Sequence, residues 1–153
     1  MTKIDIEVDT DSDRFKREVA RNGNPLSQIA LVYEDDAFPS RDWLDFPVVV
    51  LAWWLKDYFK LIRSHKTVVS TFMNGPFEFE IIPRGDQAGI VFRRRTTDGF
   101  REEGRTETAL SQYGEALLRA ARKLVQAIDG LGASGNDIDY LKSLLARDRV
   151  KRA

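Results

Sequence analysis

Thr67-Val68-Val69-Ser70-Thr71-Phe72-Met73-Asn74-Gly75-Pro76-Phe77-Glu78-Phe79-Glu80-Ile81-Ile82 is the stretch on which the fold turns. Thr67 to Phe72 is β-branched and aromatic, the composition of a strand. Asn74-Gly75 follows, a hairpin signal because both central residues of such a turn need positive φ. Phe77, Phe79 and Ile81 then alternate with Glu78 and Glu80, the period of a strand with one buried face. The pattern continues outward. Pro83 to Gly89 reads as a second turn, Gly89 to Arg95 as a third strand, and Asp98-Gly99 as a third turn signal. Residues 67–108 therefore read as an antiparallel meander. With Asp98-Gly99 as a two-residue loop, Arg95 faces Glu102 and Arg94 faces Glu103. Such cross-strand pairs contribute about 0.2–1 kcal/mol each, which is a structural reason for the Arg93-Arg94-Arg95 run.

N-terminal to the meander, Ser40 to Ser64 reads as a central helix. Ser40 is a candidate N-cap, while Pro47 fits best in a first helical turn, so the regular helix alternatively begins near Asp45. Leu44, Val48, Leu51, Leu55, Phe59 and Ile62 recur at spacings of three and four, and Val50, Trp53, Trp54 and Tyr58 widen the apolar arc. A helix apolar nearly all round is expected to be buried on more than one side. Leu110 to Ile128 is a second amphipathic helix, with a stripe of Leu110, Tyr113, Leu117, Ala121, Leu124 and Ile128. Asn136 caps a third, whose apolar face is Ile138, Leu141, Leu144 and Leu145. Upstream, Ile4, Ile6 and Val8 alternate with charged residues, a half-buried strand, and Gln28 to Glu34 is a second strand. Residues 14–21 fit a helix or a strand. Asn22-Gly23-Asn24-Pro25 is a turn, and a tight one would make the early segments a hairpin. The fold class is α+β: an antiparallel β-meander packed on a central buried helix, with two C-terminal helices. At 153 residues and 17.5 kDa, the chain is expected to be one domain spanning 1–153, its end from 145 to 153 a frayed basic tail.

Composition excludes much chemistry. There is no cysteine and one histidine, so disulfides, thiolate nucleophiles, Cys-ligated zinc and multi-histidine metal sites are out. Lys plus Arg and Asp plus Glu are both 24, which argues against a generally basic nucleic-acid binder. The charge is unevenly placed: residues 1–45 hold 11 acids and 6 bases, a net of −5, and the remainder carries +5. The N-terminus lacks the apolar core of a secretory leader. The most apolar run, Phe46 to Leu55, is half the length of a membrane span. A cytoplasmic location is the default.

Four local patterns resemble sites. Asp9-Thr10-Asp11-Ser12-Asp13 begins like an EF-hand loop, but Arg14 and Ala20 stand where Gly and Glu are required. Gly130-Leu131-Gly132-Ala133-Ser134-Gly135 matches a dinucleotide fingerprint, yet it follows a helical pattern instead of a strand. His65 has no elbow motif beside it, although Ser64 and Ser70 are near in sequence. The acids Glu34-Asp35-Asp36 and Glu78/Glu80 could supply a carboxylate pair. No catalytic residue, metal or cofactor is assigned. The binding candidates are the acidic segment Glu34, Asp35 and Asp36, and the aromatic pair Trp53 and Trp54.

Phe46-Pro47-Val48-Val49-Val50-Leu51-Ala52, the Phe77–Phe79 strand, Gly89-Ile90-Val91-Phe92 and Asp98-Gly99-Phe100-Arg101 together resemble a group of uncharacterised small bacterial proteins. Those proteins place a Phe-Pro-Val-Val helix start before a meander ending in Asp-Gly-Trp-Arg; here Phe100 replaces the Trp. The architecture is also similar to that of immunity proteins that accompany polymorphic toxins. The likeness spans residues 28–130 and carries no site residues. It implies a non-catalytic protein-binding module whose partner is a toxin, with Glu34-Asp35-Asp36 facing a basic surface. A small-ligand pocket lined by Trp53 or Trp54 is the alternative, and a carboxylate enzyme a weaker one. Neither nucleic acid nor membrane is an expected partner, and a homodimer remains open.

Overall fold

The computed structural model describes residues 3–152, with Asn22 and residues 149–152 described by their backbone alone. The first sheet holds β1 (Ile4–Val8), β2 (Ser27–Tyr33), β3 (Asp36–Phe38) and β4 (Leu44–Asp45). All pairings are antiparallel, and β2 lies between β1 on one side and β3 and β4 on the other. The two early strands do pair, Ile4 opposite Tyr33 and Val8 opposite Ile29, but no tight hairpin joins them. The undecided segment between them is helix α1 (Asp13–Asn22). Ser12 caps it, accepting the Phe15 N–H at 3.1 Å, and Asp9 Oδ1 accepts the N–H groups of Asp11 and Ser12. The acidic run that resembles a calcium loop is thus the N-terminal cap of a helix. Phe15 and Val19, four residues apart, are its buried face.

The central helix, α2, runs Pro47–Ser64, shorter than the Ser40 start. Leu44 and Asp45 are held in the first sheet opposite Gln28 and Ser27, so the chain cannot turn helical before residue 46. Ser40 bonds Asp42 instead, Oγ to Oδ1 at 2.8 Å. Pro47 occupies the first turn, where its missing N–H costs nothing. Asp45 is fully buried, and its carboxylate accepts three donors: Phe46 N–H at 2.8 Å, Trp43 Nε1 at 3.1 Å and Asn74 N–H at 3.1 Å.

Asn74 lies in the turn between the first two strands of the second sheet, the expected meander: β5 (Val68–Thr71), β6 (Phe77–Arg84), β7 (Gln87–Thr96) and β8 (Gly99–Ala109), in that spatial order. The last hairpin differs by one residue from its reading. Thr96 pairs with Gly99, so Thr97 and Asp98 form the loop. Arg95 then faces Phe100, Arg94 faces Arg101 and Arg93 faces Glu102, with a bulge before Phe92 meets Gly104. Gly99 has φ of +135°, and so closes the hairpin as a strand residue.

Helices α3 (Leu110–Gly130) and α4 (Asn136–Arg152) complete the chain. The Gly130–Gly135 segment links helix to helix, which is not the geometry of a dinucleotide loop. The tail expected to fray from residue 145 is helical through Arg152, with Leu145 and Asp148 buried. Asp148 accepts from Arg122 on α3 at 3.2 Å.

One contiguous cluster of buried side chains joins both sheets and the helices. Its aromatic centre stacks edge to face, with Trp54 at 5.1 Å from Phe79 and 5.0 Å from Phe72. Trp54 is fully buried, its Nε1 donating to the Thr71 carbonyl at 2.8 Å. Two residues of the expected apolar arc of α2 face outward: Trp53 is 38% and Ile62 42% exposed. Where α2 crosses α3, the Tyr58 hydroxyl occupies the space a Cβ on Gly114 would need, 2.1 Å away.

Helix α3 also closes the outer edge of β1. Gln112 accepts the Ile4 N–H at 2.8 Å and donates to the Ile4 carbonyl at 2.6 Å. Lys123 Nζ reaches the Val8 carbonyl at 3.4 Å. A side-chain amide stands there in place of a neighbouring strand. Among the described residues, no helix is long and apolar enough to cross a membrane.

Two variants test this packing. Propensity alone favours Gly114→Ala in a helix by about 1 kcal/mol, yet overpacking against Tyr58 should dominate and destabilise by ~1–3 kcal/mol in urea denaturation. Asp45→Ala should lose at least about 2 kcal/mol, because three donors lose their acceptor.

Candidate functional site

The acidic segment forms the turn between β2 and β3. Tyr33 pairs with Asp36, leaving Glu34 and Asp35 as the loop, and Glu34 adopts φ of +53°. Glu34, Asp35 and Asp36 are all exposed. Arg41 Nη2 bonds the Asp35 backbone carbonyl at 3.4 Å, not its carboxylate. Among the described residues, neither Asp35 nor Asp36 enters an ion pair.

The base of the turn is rigid. The Tyr33 ring stacks on Phe92 at 4.5 Å between centroids, and its hydroxyl fills the space beside Gly104, 2.5 Å from where a Cβ would stand. Burial, then the charges of Asp36 and Glu34, push the Tyr33 phenol above its ordinary pKa of 10.0. A cleft of about 220 Å3 opens beside the turn, between the two sheets, lined by Tyr33, Asp36, Phe38, Phe77, Arg94 and Glu103.

The aromatic candidates lie elsewhere. Trp53 and Trp54 are adjacent on α2 and therefore about 100° apart around its axis. Trp54 points into the core and Trp53 towards solvent. Neither lines the cleft at the turn. Neither lines the larger groove of about 400 Å3 on the first sheet, where Asp5, Glu7 and Asp9 meet Arg41, Arg119 and Lys123. Trp53, Trp54 and the acidic turn are thus not gathered around any one of these cavities.

The basic run is consumed within the chain. Arg93 is only 9% exposed. It donates to Glu78 through Nε at 2.8 Å and Nη2 at 2.7 Å, and reaches Glu80 at 3.4 Å. The Phe100 ring covers the Arg93 guanidinium at 4.2 Å, a cation–π contact. Arg95 binds Glu78 at 2.9 Å, while Arg94 and Arg101 share Glu103 at 3.4 and 3.0 Å. Arg105 pairs with Glu102. A phosphate would have to displace a carboxylate at each of these cations.

The same network decides the chemistry of Glu78. Burial alone would raise its carboxyl, but the hydrogen bonds and charges of Arg95 and Arg93 outweigh it, and the pKa lies below the ordinary 4.5. Held ionised by two guanidinium groups, Glu78 is a poor proton donor. His65 is the C-terminal cap residue of α2, with φ of +54° and an exposed side chain. Ser64 and Ser70 turn elsewhere, Ser64 Oγ to the Lys60 carbonyl and Ser70 Oγ to Asp57 at 2.9 Å. Burial raises the Asp57 carboxyl, opposed by Ser70, Lys60 and Lys56. Among the described residues, no three His, Cys, Asp or Glu side chains converge as metal ligands.

Compared with protein-family models, with curated proteins and with solved structures, the chain has no match.

Because the folded pKa of Glu78 is depressed, its contribution to stability is present above the ordinary carboxyl pKa and is lost as pH falls through the lowered folded value. Glu78→Gln should therefore cost on the order of 2 kcal/mol at neutral pH. The difference from the native chain should shrink as pH falls through the lowered folded value, read by urea denaturation at neutral pH and across a series of acidic pH values.

Proposed function

We propose that this chain is a non-catalytic protein-binding module that docks a basic partner through the Glu34-Asp35-Asp36 turn, in the manner of an immunity protein occluding a toxin. One contrast carries the reading: Arg93, Arg94, Arg95, Arg101 and Arg105 of the meander are paired with glutamates inside the chain, whereas Asp35 and Asp36 stand exposed without an ion pair among the described residues. An exposed charge that folding does not use is available for a partner's charge, and such charges govern association rate and specificity more than raw affinity. The turn is also preorganised. Tyr33 and Asp36 are paired across it and Tyr33 is stacked on Phe92, so little conformational freedom remains to be lost on binding. A blocking function needs shape and charge at a fixed surface and no reacting group.

The partner to try first is the product of the adjacent gene, titrated against the purified chain by stopped flow and calorimetry. A complex should form, and the triple variant Glu34→Lys, Asp35→Lys, Asp36→Lys should associate at least about tenfold more slowly at low salt. The gap should close towards ~1 M NaCl, where charges are screened beyond about 3 Å. The variant's melting temperature should match the native one. A complex indifferent to these substitutions would remove the turn from the interface, and a neighbouring product that does not bind would remove the immunity-like reading.

A further inference from the structure

Apart from exposed Ile62 near its C-terminus, helix α2 keeps one narrow stripe out of the core. Its exposed positions there are Trp53, Lys56, Lys60 and Arg63, with half-buried Val49 ahead of them. The spacings are four, three, four and three residues, the seam spacing of a coiled coil. At 3.6 residues per turn, these five positions fall within about 80° of arc and extend ~21 Å along the axis. Val50, Trp54, Tyr58 and Leu61 are buried on the far side of the helix, and buried Ala52 and Phe59 border the stripe. The seam has two ends of different chemistry: apolar at Val49 and Trp53, cationic from Lys56 to Arg63. Among the described residues, none of these three cations enters an ion pair. Holding three cations on one seam is unfavourable in the isolated chain, and half-buried Asp57 on the flank, which feels the charges of Lys60 and Lys56, is bonded to Ser70 and forms no ion pair with them.

The charges and the placing of apolar groups select the occupant. A second copy laid antiparallel on the same seam would set Lys56 against Lys56 and bring six cations together, a like-charge juxtaposition that opposes association. A nucleic-acid strand would find cations over only about 10 Å of helix, with Asp57 on the flank and no net positive charge on the molecule. A bilayer would want the apolar face of the helix turned outward, and here that face is buried. A helix with matching periodicity meets each condition. We infer that the α2 seam is a docking site for an acidic amphipathic helix of a partner protein, with aliphatic side chains over Val49 and Trp53 and carboxylates over Lys56, Lys60 and Arg63. This surface is on a different element from the acidic turn and stands or falls independently of it.

The probe is a synthetic helical peptide of about three heptads, Leu at the seam positions of one end and Glu at those of the other, titrated into the full-length chain. Binding with a Kd of ~10–100 μM is expected for a generic probe of this kind, with a blue shift of tryptophan emission as Trp53 leaves water. Trp54 is already buried, so Trp53→Phe should abolish most of the shift. Lys56→Glu, Lys60→Glu, Arg63→Glu should weaken binding at least about tenfold, and the milder set of three Gln substitutions should fall between. Circular dichroism checks that each variant is folded. The inference fails if the charge-reversed chain binds equally well, or if a peptide with its seam scrambled does. It fails equally if the native chain prefers vesicles of phosphatidylserine and phosphatidylcholine in equal parts, or a single-stranded oligonucleotide, over the peptide.

Discussion

The buried carboxylate of Asp45 fixes where the halves of this molecule meet. It sits at the last residue of the first sheet and immediately before the central helix. Its three hydrogen bonds reach the helix start, the Trp43 indole and the first turn of the meander. A polar group removed from water is tolerable only when it is hydrogen-bonded, so the three donors must arrive together. That requirement sets the phase of α2, hence which of two adjacent tryptophans is buried. It also sets where Phe72 and Phe77 come to rest against Trp43, with ring centroids at 6.4 and 5.0 Å. The negative end of this arrangement points at the N-terminus of α2, where the helix dipole favours it.

A second principle concerns how charge is divided between folding and recognition. The meander carries arginines and glutamates in comparable number and pairs them across strands and around the bulge. Its outer face is electrically quiet for that reason. Among the charges of the described residues outside any ion pair are Asp35 and Asp36 at the β2–β3 turn and Lys56, Lys60 and Arg63 along α2. A chain whose formal charge cancels overall can still present locally acidic and locally basic surfaces, because charges far apart in space do not cancel each other.

Much of this was legible in the residues. The meander announced itself through Asn74-Gly75 and strict alternation, and α3 through a stripe at three-and-four spacing. The acidic segment Glu34-Asp35-Asp36 stood out as three consecutive acids, although the turn it forms was not marked by any glycine or proline. What was not legible had physical causes. Strands of two and three residues, such as β4 and β3, are too short to show a period, so residues 40–46 were absorbed into the neighbouring helix. Asp98-Gly99 marks a turn but not its register, since glycine at positive φ can close a hairpin from inside the strand. Trp53 and Trp54 carry equal hydrophobicity, and only the rotation imposed at Asp45 separates them. The seam of Lys56, Lys60 and Arg63 was hidden among the apolar residues of the same helix. A helical wheel restricted to its charged positions would have revealed it.

The amide of Gln112 has a consequence at a larger scale. Where a glutamine occupies the hydrogen-bonding places of an absent strand, the first sheet cannot grow laterally by recruiting another polypeptide at Ile4. That path to uncontrolled polymerisation is shut by one residue of an adjacent helix. Contacts made by side chains can be retuned by a single codon, whereas main-chain zippering is nearly indifferent to sequence.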